Sequence, residues 1–164
     1  MAELVDRLGP RSCLRPEDYR PGYRGEQEGP NQSLFYAAAR GNVGRLLSLL
    51  SAPYGLDPNM ASEQNDHGYG PLHAAADCGE LAAIDILLAA GADVRVANAQ
   101  TQVTALHLAA RADQPATCLR LLRAGADLNA TCMSKGKRRS ARGDAEHEGR
   151  AEVLAVLDAW VAKN

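Results

Sequence analysis

Residues 70–93 read GPLHAAADCGELAAIDILLAAGAD, and residues 104–127 read TALHLAARADQPATCLRLLRAGAD. At an offset of 34 the two agree at eleven of twenty-four positions. Each opens on Leu-His, passes through a pair of alanines and a pair of leucines, and closes on Gly-Ala-Asp. A histidine held so regularly inside an apolar run either does chemistry with its counterpart or keeps a repeated scaffold in shape.

A fixed period is the first thing to settle, because it changes the reading of everything around it. A looser copy lies upstream, SLFYAAARGNVGRLLSLL at 33–50, followed by GLDPN at 55–59. A degraded copy lies downstream, SARGDAEHEGRAEVLAVLDAW at 140–160, where Ala145, Gly149, Val153, Val156 and Leu157 still fall on the template. Each copy predicts a short helix, a turn, a second helix and a loop. In the second copy Leu72, Ala75 and Ala76 form one apolar face before Gly79 ends the helix, and Ile84, Leu87 and Leu88 form the next before Gly91 supplies a left-handed cap. Helices of about two or three turns are marginal alone in water, so each unit must stack on another to cover its apolar side.

These motifs resemble ankyrin repeats: the Thr/Gly-Pro/Ala-Leu-His opening, the double alanine, the Leu-Leu-x-x-Gly-Ala-Asp close. The resemblance covers about residues 31–160 and implies an all-α solenoid of stacked helix-turn-helix units with hairpin loops, its repeats at about 31–64, 65–97, 98–130 and 131–160. Residues 1–30, with four prolines, four glycines and eleven charged residues, read as an extended arm laid along the domain through Tyr19 and Tyr23. Residues 161–164 are a short tail. The outermost polar positions Arg142, Gly143 and Asp144 read as a solvent-facing cap, and Trp160 either packs on the preceding helix or marks an exposed patch.

Composition agrees with closely packed helices and excludes several function classes. Aromatics make up 4% of the chain and the formal net charge is −2, so no global field points to nucleic acid. No stretch has the length of a membrane span, and the N-terminus has no signal-peptide pattern. Cys13, Cys78, Cys118 and Cys132 lack the close pairing of a zinc site, so no metal and no cofactor is expected, and a reducing compartment, cytoplasmic and also nuclear, is the economical reading.

A catalytic role for His73 and His107, with Asp77, Cys78 or Cys118 as helpers, competes with a structural one. Recurrence at the stacking period favours structure. The resemblance implies that this histidine bridges neighbouring backbone and the hydroxyl of the opening threonine. Thr104 and His107 match that pair, whereas Gly70 leaves His73 without its hydroxyl. No phosphate cradle or nucleophile elbow appears, and an enzyme is not expected. Gly91 and Gly125 suit positive φ; Asp113 takes the place of a helix-ending glycine and tolerates the left-handed region.

The resemblance further implies a protein partner held by hairpin tips and first helices. Position by position these are Asp66, His67, Tyr69, Asp77 and Cys78 in the second repeat, and Gln100, Thr101, Val103, Arg111 and Ala112 in the third. The expected molecule is a non-enzymatic adaptor or scaffold, monomeric when unbound. The alternative is a regulatory subunit or assembly factor that reaches its partner through the arm. Asn129 occupies a hairpin asparagine that oxygen-dependent hydroxylases modify in some members. Three irregularities stand out. SAPYGLDPNMASEQ (51–64) lengthens the first loop, so that Leu34 to Leu72 spans 38 residues against a family period of about 33. ANAQTQV (97–103) lacks its turn glycine, which leaves its register open by one. TCMSKGKRRSARG (131–143) carries five cations, Lys135, Lys137, Arg138, Arg139 and Arg142, and reads as a solvated loop, an import signal or a phosphate site, with Ser140 beside two arginines as a kinase pattern.

Overall fold

The computed structural model describes residues 30–61, 68–134 and 136–163, so the expectations placed on the N-terminal arm, including Tyr19 and Tyr23, lie outside the described residues. Helices come in antiparallel pairs. The first two pairs are α1 (Pro30–Ala39) with α2 (Val43–Leu50), and α3 (Pro71–Cys78) with α4 (Leu81–Ala89). The next two are α5 (Ala105–Arg111) with α6 (Pro115–Arg123), and α7 (Ala141–Glu148) with α8 (Ala151–Val161). The first helices stack α1 on α3 on α5 on α7, and the second helices stack α2 on α4 on α6 on α8. The result is a two-layer helical solenoid whose apolar stripes meet in one continuous core.

Small residues make that stacking possible. Ala38, Ala75, Ala76, Ala109, Ala110 and Ala145 are wholly buried where the first helices face one another. Leu46, Leu49, Ile84, Leu87, Leu121 and Leu157 fill the space between layers. Cys118 behaves as a small apolar residue in this core; burial, helped by the Asp113 charge, pushes its thiol up to about 12. The degraded fourth copy follows the template: Ala145, Val153 and Leu157 are buried, and Gly149 caps α7 at φ 69°. Trp160 packs against the core, half-buried.

The turn inside each pair is also a contact between repeats. Gly79 ends α3 at φ 75°, and a Cβ there would stand 2.4 Å from the side-chain oxygen of Gln114, which reaches back from the next repeat. Gly41 is covered in the same way by Glu80. In the third repeat Asp113 adopts φ 58°, as its tolerance of the left-handed region predicts, and the residue reaching back is Arg150. Its Nη1 lies 4.0 Å from the Asp113 carboxylate, and its Nε donates to the Arg111 carbonyl at 3.1 Å. Charge replaces close packing where the glycine is lost.

The lengthened first loop returns to register at its end. The N–H groups of Asn59, Arg95 and Asn129 donate to Asp57, Asp93 and Asp127 two residues back, one turn per repeat. Asn59 also joins its loop to the next, accepting from the Asp93 N–H at 2.7 Å and donating to the Gly91 carbonyl. Gly91 and Gly125 take the expected positive φ, 92° and 95°.

Two expectations are corrected. The cationic segment is not an irregular loop: β1 (Thr131–Ser134) and β2 (Lys137–Ser140) form an antiparallel hairpin pairing Thr131 with Ser140 and Ser134 with Lys137. Gly136 at φ 75° permits the tight turn, and Ser140 ends the strand by capping α7, its hydroxyl accepting from the Gly143 N–H. Asp144 is not a solvent-facing cap either; it is 2% exposed and turned back toward the third repeat.

Gly79→Ala, which combines an unfavourable φ with displacement of Gln114, is expected to cost about 1–2 kcal/mol in urea unfolding. Asp113→Gly, which relaxes the backbone while giving up a long ion pair, is expected to change stability by less than that.

Candidate partner-binding surface

The two histidines set the positions of the tips. His107 Nδ1 accepts from the Thr104 hydroxyl at 2.8 Å and from the Thr104 N–H at 3.3 Å, which leaves Nε2–H to donate to the Arg139 carbonyl. His73 lacks the hydroxyl partner, as Gly70 implies, but keeps the Gly70 N–H at 3.3 Å and donates to the Val103 carbonyl at 3.0 Å. In both cases the acceptor is the carbonyl just before the N-cap of the next repeat. Each imidazole thus ties its own helix start to the following hairpin. Burial lowers His73 to about 4 and lowers His107 as well, so both are neutral donor–acceptor bridges near pH 7.

The third tip compensates for its missing glycine through Asn98, a residue the sequence reading did not single out. The Asn98 side-chain oxygen accepts from the Val103 N–H at 2.7 Å and from the Thr101 hydroxyl at 3.0 Å. Gln102 takes φ 59° in place of glycine, and its amide donates to the carbonyls of Asn98 and Ala99. An asparagine at a hairpin entry is a turn signal in its own right. This arrangement fixes the register left open above. Gln100 is exposed, Thr101 is half-buried, and Val103 points inward against Leu108 and Cys132 at 2% exposure. Val103 is therefore part of the frame.

The remaining predicted positions divide in the same way. Asp66 and His67 lie outside the described residues. Tyr69 is half-buried; it stacks on the His73 ring at 5.3 Å and bridges the cluster around Phe35 and Ala74 to the one around Val103. Cys78 and Ala112 are half-buried, Cys78 against the Phe35 cluster. Asp77, expected on the surface, is 2% exposed. Arg111, also expected to be available, lies against Asp144 at 2.7 Å with its side chain 20% exposed, and its Nη2 donates to Cys132 Sγ at 3.0 Å. These first helices are two turns long, so a residue near the helix end meets the next repeat before it meets solvent.

His107, Cys132 and Asp144 bring one nitrogen, one sulfur and one carboxylate oxygen within 4.8 Å of one another, a donor set that could hold a metal ion. The Arg111 guanidinium is seated among them, on both the sulfur and the carboxylate. A fixed cation there opposes a second one. Burial also pushes the Cys132 thiol up to about 11, against the pull of Arg111, so the sulfur is a neutral thiol beside the guanidinium near neutral pH. The cluster is a buried electrostatic joint between the third and fourth repeats.

What projects outward is the row of tips. The Met133 N–H donates to the Thr101 carbonyl at 2.8 Å, so the fourth hairpin is bonded to the third tip through backbone. Gln100, Met133 (45% exposed) and Arg138 are exposed, and Tyr69 is half-buried. A family model for ankyrin repeats matches residues 30–132 in three copies. The chain belongs to the ankyrin-repeat family. That family is one of protein–protein interaction modules and is generally non-catalytic. Beyond residue 132, the α7–α8 pair extends the ankyrin stack by one further helix pair.

Two curated relatives share part of this ankyrin array. Zinc finger CCCH domain-containing protein 67 of Oryza sativa subsp. japonica is 49% identical over 67 residues, 39% of this chain and 10% of that protein. RelA-associated inhibitor of Mus musculus is 33% identical over 99 residues, 60% of this chain and 12% of that protein. The matched regions are thus about a tenth of the relatives' length. Among the described residues no helix is long and apolar enough to cross a membrane.

Two outcomes follow from the buried groups. The folded pKa of His73 lies below its unfolded value of about 6.5, so the unfolded state takes up the proton first. Stability should therefore fall as pH drops through that value and level off below about 4, a loss of roughly 3 kcal/mol with His107 acting in the same direction. Urea midpoints measured across this window check it, and His73→Gln should flatten the slope. Separately, Arg111→Ala should destabilise the chain by about 3 kcal/mol by stranding Asp144, and Arg111→Met with Asp144→Leu should recover most of that in the same assay.

Proposed function

We propose that this chain is a non-enzymatic adaptor whose hairpin tips hold a segment of another protein. The observation that carries the reading is the Met133–Thr101 backbone bond, which makes successive tips one preformed surface while their outermost side chains stay exposed. A surface already ordered before binding loses little conformational freedom when a partner arrives. Tyr69 contributes a large, rigid ring with a polar end, and Met133 an exposed, adaptable apolar contact on the fourth hairpin.

The chemistry of the interior supports binding rather than catalysis. Both histidines have their ring nitrogens engaged with neighbouring backbone, and the Cys118 and Cys132 thiols are held protonated. Membership of the family and the likeness to RelA-associated inhibitor, a protein named for associating with another, support a protein partner. The array acts as a monomer and takes no nucleic acid.

Affinity capture on the full chain from extract of its source, followed by calorimetry with the recovered partner, tests this. Gln100→Glu with Met133→Glu should weaken binding by about 2 kcal/mol, close to thirtyfold in Kd, while helical content is unchanged. Binding that survives this pair but disappears on deleting residues 1–28 would move the contact to the arm and overturn the tip reading.

A further inference from the structure

The hairpin of the fourth repeat has an edge that the fold does not use. In an antiparallel pair, two residues directly opposite either bond to each other or both turn their backbone groups outward. Met133 sends its N–H outward to Thr101, and Met133 stands opposite Arg138. Arg138 therefore turns its own N–H and C=O away from β1, to the outer edge of β2. Among the described residues β2 pairs only with β1, and neither backbone group of Arg138 has a further backbone partner. One repeat earlier, the turn carbonyl of Thr101 already takes up an N–H of the following hairpin, that of Met133.

The side chains along this edge are cationic. Lys137 and Arg138 are exposed, and among the described residues neither lies within ion-pair distance of a carboxylate. Other arginines are neutralised on the fold itself: Arg111 by Asp144, Arg120 by Asp85, and Arg142 by Asp158 and Glu146. The Arg138 guanidinium rests on the Thr131 hydroxyl at 3.3 Å, and Arg139 on the Ser134 carbonyl at 3.1 Å, both neutral acceptors. Two features thus coincide on one short strand, the outward N–H and C=O of Arg138 and an unbalanced positive charge.

We propose that the open edge of β2 takes up an extended, acidic segment of another protein by strand addition. Its backbone pairs with the N–H and C=O of Arg138, and its carboxylates lie beside Lys137 and Arg138. A nucleic-acid strand offers charge but no peptide groups for the edge, and residues 131–143 hold no aromatic ring on which a base would stack. The proposal rests on the adaptor reading and adds to it the class of segment and the place of its backbone.

The test selects a randomised library of short peptides on the full chain and, in parallel, on Arg138→Pro. Proline removes the guanidinium together with an N–H that points away from the ladder, so the hairpin is kept, and a third selection on Arg138→Gln, which drops the charge but keeps the N–H, isolates the backbone contribution. Peptides recovered by the unaltered chain and absent from the Arg138→Pro selection are expected to be rich in Asp and Glu. Saturation with one of them should slow amide exchange at Arg138 by at least about tenfold. Arg138→Glu, which keeps the N–H and reverses the charge, should lose the acidic pool. Identical pools from the unaltered chain and Arg138→Pro, a pool without acidic excess, or unchanged exchange at Arg138 each overturns the proposal. So does an oligothymidylate that competes as well as the peptides, which would put nucleic acid at this edge. Should Arg138→Pro fail to fold, exchange in the unaltered chain decides alone. If the Gln100/Met133 variant loses the native partner while Arg138→Pro keeps it, the adaptor reading stands and strand addition falls.

Discussion

No helix pair in this chain can cover its own apolar side, and the rest of the structure answers that constraint. A unit of two short helices has one layer of alanines and one of leucines, and each must find its counterpart in the next unit. Stacking alone would let neighbours slide or rotate. The histidines prevent it, because each imidazole joins the start of its own helix to a carbonyl of the following hairpin. An uncharged ring with one acceptor and one donor nitrogen suits the task, and burial keeps it in that form.

The departures from regularity are compensated by chemistry of the same kind. Where a turn glycine is missing, a side chain satisfies the backbone instead: Asn98 at the third tip, Arg150 across Asp113. The outermost repeat is the least regular in sequence, and it is joined to the third by a largely buried ion pair and its companion hydrogen bond, Arg111 on Asp144 and Cys132. A buried ion pair of this kind contributes little net stability against an apolar replacement, yet it is costly to break in half. Its consequence is orientation: α7 and the hairpin that precedes it are set in one position relative to the tip of the third repeat.

That rigidity bears on how the molecule meets a partner. Gln100, Met133 and Arg138 sit on turns and strands whose backbone is already bonded on one side, so this row of tips is ordered in the free chain. The second helices carry a mixed and internally paired surface, as in Asp85 with Arg120. On such a frame function is a property of particular surface residues and not of the fold itself.

Much of this was legible in the sequence. The period, the helix ends at Gly79 and Gly149, the left-handed Asp113 and the bridging role of His107 all depend on residues within one repeat or on its immediate neighbour, where spacing carries the information. Asp77, Val103 and Arg111 were misplaced as free surface because their burial is set by packing that spacing does not show: Val103 lies against Leu108 and against Cys132 of the next repeat, and Arg111 is held by Asp144 of the next repeat. The hairpin at 131–140 was read as a loop because its pairing depends on facing strands and on the Thr101 carbonyl, and four cations in that stretch masked the turn at Gly136. By itself the sequence determined that helix pairs stack at a fixed period, since that follows from local periodicity. Which polar side chains are consumed between units, and which strand edge is left open, only the tertiary structure decided, because those outcomes depend on atoms some thirty residues away along the chain.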